Sequence, residues 1–157
     1  MRALVIGVGS IGQRHIKNLK LLGCKVEAWD TSVVAQEKAH KKLEIPVGVP
    51  ELRKWGRFDC CLICTPPDSH LYYATQAVQQ GIPTFIEKPI SSTLVGVNDL
   101  LRLANTKGVP IQVGYNLRFH PGLKQLKEHL SDIGTLLAFQ SHFGHYFPDW
   151  RPAQDHK

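Results

Sequence analysis

The stretch Leu4-Val5-Ile6-Gly7-Val8-Gly9-Ser10-Ile11-Gly12 constrains this chain more than any other. The apolar run from Leu4 to Val8 has the pattern of a strand buried on both faces. From Ser10 onward Ile11, Ile16, Leu19 and Leu22 recur at helical spacing, until Gly23 ends the pattern as a C-terminal glycine does. A strand covered on both faces needs parallel neighbours and helices above and below it. The opening thirty residues therefore point to an α/β layer structure.

The rest of the chain repeats that rhythm. Val26 to Trp29 reads as a second strand, and a polar amphipathic helix follows over roughly 32–43. In the Ile45-to-Val49 segment, Pro46 restricts the assignment to an edge strand or a loop. Phe58 to Cys64 is a further buried strand, followed by a helix carrying Leu71, Ala74, Ala77 and Val78 on one side and closing at Gly81. Thr84 to Ile86 is the next strand. Leu94, Val97, Leu101 and Ala104 mark a helix that ends at Gly108, and Ile111 to Val113 is a short strand. Leu123, Leu126, Leu130 and Ile133 make a last amphipathic helix. Strands alternating with helices of this length imply βαβ units and a doubly wound, mainly parallel sheet.

After Gly134 the rhythm changes. Leu137, Phe139, Phe143 and Phe147 alternate with more polar positions, which predicts one long amphipathic strand. We read residues 1–132 as one domain and 133–157 as the start of a second α/β domain, whose first strand this is; its partners would come from further chain or from another copy.

Composition removes several functions. No apolar run approaches the length of a membrane span, and the amino terminus lacks the features of a secretory signal, so a cytoplasmic setting is expected. The net charge of +6 would suit a nucleic acid, but the basic residues are scattered. The tight cluster Lys38, Lys41 and Lys42 reads as a solvated helix face, so no nucleic-acid partner is expected. Cys61 and Cys64 have C-x-x-C spacing inside a strand, where positions three apart point to opposite faces. His142 and His145 also alternate faces, and no metal site is expected.

Gly7-Val8-Gly9-Ser10-Ile11-Gly12 is a G-x-G-x-x-G segment in the context that gives it meaning, after a buried strand and opening a helix. Gly7 permits the tight turn, Gly9 lets a pyrophosphate approach the backbone, and Gly12 lets helix and strand pack closely. The helix start offers N–H groups and a positive dipole end to phosphates. Asp30, eighteen residues beyond Gly12 at the end of the second strand, would accept hydrogen bonds from the adenosine ribose and repel a 2′-phosphate. Neither residue 31 nor 32 is basic, so NAD is favoured over NADP.

Three further loops leave strands at their carboxyl ends, where ligands of open α/β sheets bind. One is Cys64-Thr65-Pro66-Pro67-Asp68-Ser69-His70, in which His70 reads equally as a cofactor neighbour or a surface histidine. In Glu87-Lys88-Pro89, Lys88 faces the crevice as a candidate acid/base group or forms a loop ion pair with Glu87, and a cis Lys88–Pro89 bond is an option. The third, Gly114 to Pro121, reads as a ligand-facing loop or a capped helix start.

Together, Gly7-x-Gly9-x-x-Gly12-x-x-His15, Asp30, Thr65-Pro66 with His70, Glu87-Lys88-Pro89 and the Gly114-to-Pro121 loop resemble the Gfo/Idh/MocA oxidoreductases, from residue 1 to about 152. The resemblance implies an N-terminal Rossmann domain, a C-terminal α/β domain whose open sheet carries a homo-oligomer interface, and hydride transfer between NAD(P) and a sugar, cyclitol or related polyol. It implies that Lys88 is the catalytic lysine, orienting the reacting hydroxyl and passing its proton. Gly7, Gly9, Ser10, Ile11, Gly12, Asp30, Thr65, Pro66, His70, Glu87, Lys88 and Asn116 would line the cofactor, with Trp150 and Arg151 folding back near it. Lys88, Tyr115 and Arg118 would approach the substrate. Phe147 to Pro152 looks like members that modify surface-polysaccharide sugars, which adds nucleotide sugars to the substrate class. The family's catalytic Asp and His lie past residue 157, so the resemblance implies the cofactor-binding portion of such an enzyme. The alternative is a non-catalytic dinucleotide-binding or regulatory module without a substrate domain.

Overall fold

The computed structural model describes residues 1–48, 58–142 and 144. The described residues of its first unit, Met1–Tyr115, form six strands and four α-helices. In chain order these are β1 (Arg2–Ile6), α1 (Ser10–Leu21), β2 (Lys25–Trp29), α2 (Val33–Leu43), β3 (Val47–Gly48), β4 (Cys60–Ile63), α3 (His70–Gln79), β5 (Thr84–Ile86), α4 (Val97–Lys107) and β6 (Ile111–Val113). The sheet order is β3-β2-β1-β4-β5-β6 and every pairing is parallel. The strand order reverses about β1, so a crevice opens between the carboxyl ends of β1 and β4.

The apolar run that opens the sequence is the centre of this sheet. Ala3, Leu4, Val5 and Ile6 are all fully buried, with β2 on one side and β4 on the other. Successive side chains leave opposite faces. Leu4 and Ile6 join Cys61, Ile63, Ala74, Val78, Leu100 and Ala104 in one core, while Ala3 and Val5 join Ile16, Leu19, Ala39, Leu43, Leu62 and Cys64 in the other. Helices α3 and α4 thus cover one face, and α1 and α2 the other. A buried Leu, Ile or Val contributes on the order of 1.5–3 kcal/mol, which accounts for both layers being drawn onto four central residues.

Helix ends follow the glycines. At the close of α1 the Gly23 N–H donates to the Lys20 carbonyl and the Cys24 N–H to that of Leu19. The same pair of bonds recurs at Gly81–Ile82 after α3 and at Gly108–Val109 after α4. Pro46 stands just before β3, which is a two-residue edge strand beside β2.

Three expectations are corrected. The face of α4 is set by Leu100 and Ala104, with Leu103 packed alongside, whereas Leu101 is 43% exposed and Leu94 lies outside the helix. Gly96, with φ +83°, is the N-cap of α4, so the helix begins at Val97, three residues after Leu94, and its buried residues are Leu100 and Ala104. The long strand expected over 137–147 does not form over its described residues 137–142, which pair with no other strand. An amphipathic strand needs a neighbour for its N–H and C=O groups, and Leu137 at 92% and Phe139 at 69% exposure have no layer over them. Phe143 and Phe147 lie outside the described residues.

The second unit, Asn116–Lys157, holds over its described part a 3₁₀ turn (Asn116–Phe119), α5 (Pro121–Glu128) and a second 3₁₀ turn (Leu130–Ile133). The apolar spacing predicts one helix through Ile133, but the α-helix ends at Glu128 and the last turn tightens. Within this unit Lys124 Nζ lies 5.6 Å from the centre of the Phe119 ring.

Candidate functional site

All six strands are parallel, so their carboxyl ends share one edge. The segments that leave it are Gly7–Gly9 after β1, Asp30 after β2, Cys64–Ser69 after β4, Glu87–Pro89 after β5 and Gly114–Tyr115 after β6.

The glycine turn divides its labour clearly. Gly7 has φ +93°, and a Cβ there would sit 2.7 Å from the Cys64 carbonyl carbon and oxygen. A Cβ on Gly12 would lie 1.9 Å from the Gly7 carbonyl oxygen. Both positions are closed by the protein's own backbone. Gly9 is the reverse: it is exposed, its backbone is extended (φ −62°, ψ −172°), and a Cβ there meets nothing within 4 Å. It is also the N-cap of α1, where no side chain caps the helix and no acidic residue stands in the first turn. The start of α2 differs, since Ser32 Oγ accepts from the Ala35 N–H. The leading N–H groups of a helix have no intrahelical partner, so α1 presents bare donors and a positive dipole end beside an opening. That cradle fits the pyrophosphate of a dinucleotide.

Asp30 is tied into the same turn. Its Oδ2 accepts from the Val8 N–H at 2.8 Å and its Oδ1 from the Ser32 N–H at 2.9 Å. A carboxylate offers about four acceptor positions, so capacity remains for ribose hydroxyls. Gln13 Nε2 donates to the Val8 carbonyl and Gln36 Nε2 to that of Asp30, which fixes both segments from the helix side.

The loop after β4 is braced by Ser69, whose Oγ lies 2.9 Å from both Thr65 Oγ1 and the Pro66 carbonyl. His70 is 1% exposed, so the surface reading of this residue is set aside. Its Nδ1 lies 2.8 Å from the Pro89 carbonyl oxygen and its Nε2 2.7 Å from that of Thr65.

Glu87 is gripped from α1. His15 Nε2 lies 2.8 Å from Glu87 Oε1, both side chains being largely buried, and the Lys88 N–H donates to Oε2. Burial pushes the Glu87 carboxyl up, but the hydrogen bonds from His15 and the Lys88 backbone, with the positive charge nearby, outweigh it and hold the group below its ordinary value. The Phe85 ring meets the His15 ring edge-on at 5.3 Å. A Cβ on Gly114 would lie 2.8 Å from Phe85 Cζ and 3.4 Å from Glu87 Oε1, so a side chain there would drive into this group. Lys88 itself is exposed, and the Lys88–Pro89 peptide bond is cis. His15, Phe85 and Gly114 were missed as site residues. His15 carried a signal in its place three residues after Gly12, but its partner lies 72 residues away.

The remaining candidates separate. Tyr115 is 49% exposed at the end of the first unit. Asn116 and Arg118 are exposed on the 3₁₀ turn of the second unit. Trp150 and Arg151 lie outside the described residues. Cys61 and Cys64 belong to opposite cores, and burial raises both thiols. Among the described residues no three His, Cys, Asp or Glu side chains are grouped to hold a metal ion. A cavity of about 580 Å³ lined by Arg2, Lys20, Lys25, Glu27 and Glu44 among others opens by the amino ends of β1 and β2, the opposite edge from the glycine turn. No helix among the described residues is long and apolar enough to cross a membrane.

The chain is similar to several known proteins. The GFO_IDH_MocA family model, an oxidoreductase family with an NAD-binding Rossmann fold, matches residues 1–115. Inositol 2-dehydrogenase of Paracoccus denitrificans is 28% identical over 152 residues, covering 92% of this chain and 45% of the relative. UDP-N-acetylglucosamine 3-dehydrogenase GnnA from Acidithiobacillus ferrooxidans superposes with a TM-score of 0.74 at 24% identity, covering 83% of this chain and 42% of that one. The scyllo-inositol dehydrogenase of Lactobacillus casei, solved with NAD(H) and scyllo-inositol, gives a TM-score of 0.74 at 20% identity over 84% of this chain and 41% of that one. The chain spans less than half the length of each.

Proposed function

Because this chain belongs to the Gfo/Idh/MocA oxidoreductases, matched through their NAD-binding Rossmann domain, we propose that it is the cofactor-binding part of an enzyme moving hydride between NAD and a hydroxyl or keto carbon. The substrate class is a sugar, nucleotide sugar or cyclitol, in keeping with the inositol and UDP-N-acetylglucosamine dehydrogenases it resembles. The observation that carries the reading is the uncapped start of α1 at Gly9, open on the ligand side and packed tight at Gly7 and Gly12.

When bound, the nicotinamide supplies the hydride acceptor or donor; the protein supplies binding, orientation and proton handling. The backbone amides of Gly9, Ser10, Ile11 and Gly12 hold the pyrophosphate, while Gly7 makes the turn that aims them. Asp30 holds the adenosine ribose, and its charge next to Thr31 and Ser32 favours NAD over NADP. Thr65 and Pro66 wall the opposite side of the crevice. Glu87, fixed by His15, sets the start of the segment that carries Lys88. Lys88 orients the reacting hydroxyl and exchanges its proton, and Tyr115 is assigned to the substrate; Asn116, Arg118, Trp150 and Arg151 are candidate contacts carried by the sequence pattern alone. The whole enzyme works as a homo-oligomer in the cytoplasm in this reading.

Titration of the chain with NADH tests it. Quenching of tryptophan fluorescence together with saturable calorimetric heat is expected. Unchanged fluorescence and no heat would refute the assignment.

A further inference from the structure

Asp30 and Gln13 each hold the glycine turn by one polar group of Val8. Asp30 Oδ2 accepts from the Val8 N–H at 2.8 Å, and Gln13 Nε2 donates to the Val8 carbonyl at 2.9 Å. A carbonyl oxygen only accepts, so it is the NH₂ end of the Gln13 amide that makes this contact. The Gln13 backbone N–H also donates to the Gly9 carbonyl at 2.9 Å. Gln13 thus holds the carbonyls of two successive peptides, Val8–Gly9 and Gly9–Ser10. The second bond belongs to the helix backbone; the first needs the glutamine side chain.

A trans peptide is planar, with its C=O and N–H pointing opposite ways. Fixing the Val8 carbonyl on Gln13 therefore fixes the Gly9 N–H on the far side of that plane, and fixing the Gly9 carbonyl does the same for the Ser10 N–H. Neither of these N–H groups has a hydrogen-bond acceptor among the described residues. Without a Cβ at residue 9 little else resists rotation of the Val8–Gly9 plane, and a Cβ there would meet nothing within 4 Å. The plane that the turn leaves soft is the one that the Gln13 side chain grips.

We propose that Gln13 is a positioning residue for the pyrophosphate: its side chain clamps the Val8–Gly9 peptide and so keeps the Gly9 N–H available to a phosphate oxygen. It acts through that peptide. Asp30, on the Val8 N–H, holds the preceding peptide and leaves the Val8–Gly9 plane to Gln13. The phosphate role rests on the dinucleotide reading above; the clamp itself does not.

The test uses the whole 157-residue chain, labelled with ¹⁵N and ¹³C. In the unsubstituted chain, NADH is expected to move the Gly9 and Ser10 amide protons downfield and slow their exchange. A Gly9 amide unmoved at saturating NADH would overturn the proposal without any variant having to fold. Gln13→Met keeps the side chain's length and helix preference and removes the donor. In the ligand-free variant the Val8 carbonyl ¹³C and Gly9 amide ¹⁵N resonances are expected to move, while the Ser32 amide, bonded to Asp30, stays in place. NADH affinity is expected to fall about three- to tenfold, the scale of one lost hydrogen bond, with the NADH-induced shift reduced at Gly9 and kept at Ser10. Unchanged NADH affinity, or a Ser32 shift as large as that of Gly9, would make Gln13 a general brace of the fold and contradict the positioning role. Failure of the unsubstituted chain to bind NADH would refute the dinucleotide reading and the phosphate role with it; it is told apart because the ligand-free Val8 and Gly9 shifts report the clamp with no nucleotide present.

Discussion

His15 Nε2 lies 2.8 Å from Glu87 Oε1, which ties the second turn of α1 to the carboxyl end of β5 across the edge where the glycine turn opens. The pair is largely buried and backed by Phe85. It links the helix that offers donors to phosphates with the segment that carries Lys88, so the two halves of the crevice are held at one spacing.

That pair has a pH signature. The Glu87 carboxyl is held below its ordinary value of 4.5 in the folded chain. A depressed carboxyl contributes stability that is full above the unfolded value and lost as pH falls through the folded one. Glu87→Gln is expected to lower unfolding stability by about 1–3 kcal/mol at neutral pH, with the gap from the unsubstituted chain closing below pH 4.5. Urea titrations at both pH values check it; a gap that stays constant on acidification would contradict the assignment.

Asp30 has two tasks that a substitution separates. It accepts backbone N–H groups from Val8 and Ser32, and it is the charge assigned to the ribose. Asp30→Asn keeps an acceptor and removes the charge. The ratio of NADPH to NADH affinity is expected to rise about tenfold or more, the scale of one lost charge repulsion near a phosphate. Calorimetry with both nucleotides measures it, and an unchanged ratio would contradict the ribose contact.

For Lys88 the expected effect is on chemistry. In a full-length enzyme carrying this segment, Lys88→Ala is expected to lower kcat by about 10²–10⁴-fold, the range of a lost acid/base group, with NADH affinity nearly unchanged. Steady-state kinetics beside NADH titration distinguish this from the alternative of a structural lysine, for which turnover would survive.

The fold was legible where its causes are local. The run Leu4–Val8, the glycines that close α1, α3 and α4, and Pro46 before a short edge strand all act on their own neighbourhoods. The face of α4 was misread by one position because Leu100 and Leu101 are both apolar and only the sheet above decides between them. The 137–147 strand was read from alternation, which says how a strand would divide its faces and supplies no partner for its backbone. In the site, Gly7, Gly9, Gly12 and Asp30 sit in a spacing that is itself the signal. The His15–Glu87 pair and the His70–Pro89 contact join residues brought together only by the sheet order, and no pattern in the chain records that order.

The measurement that reaches furthest compares two glycines three residues apart. A Cβ at Gly12 collides with the Gly7 carbonyl, so Gly12→Ala is expected to destabilise the fold by about 1–3 kcal/mol or more. A Cβ at Gly9 meets nothing and its backbone suits any residue, so Gly9→Ala is expected to leave the urea midpoint unchanged. If the space over Gly9 is where a pyrophosphate rests, Gly9→Ala nonetheless weakens NADH binding about tenfold or more in a calorimetric titration. A Gly9→Ala chain that folds normally and binds NADH with unchanged affinity would contradict the account.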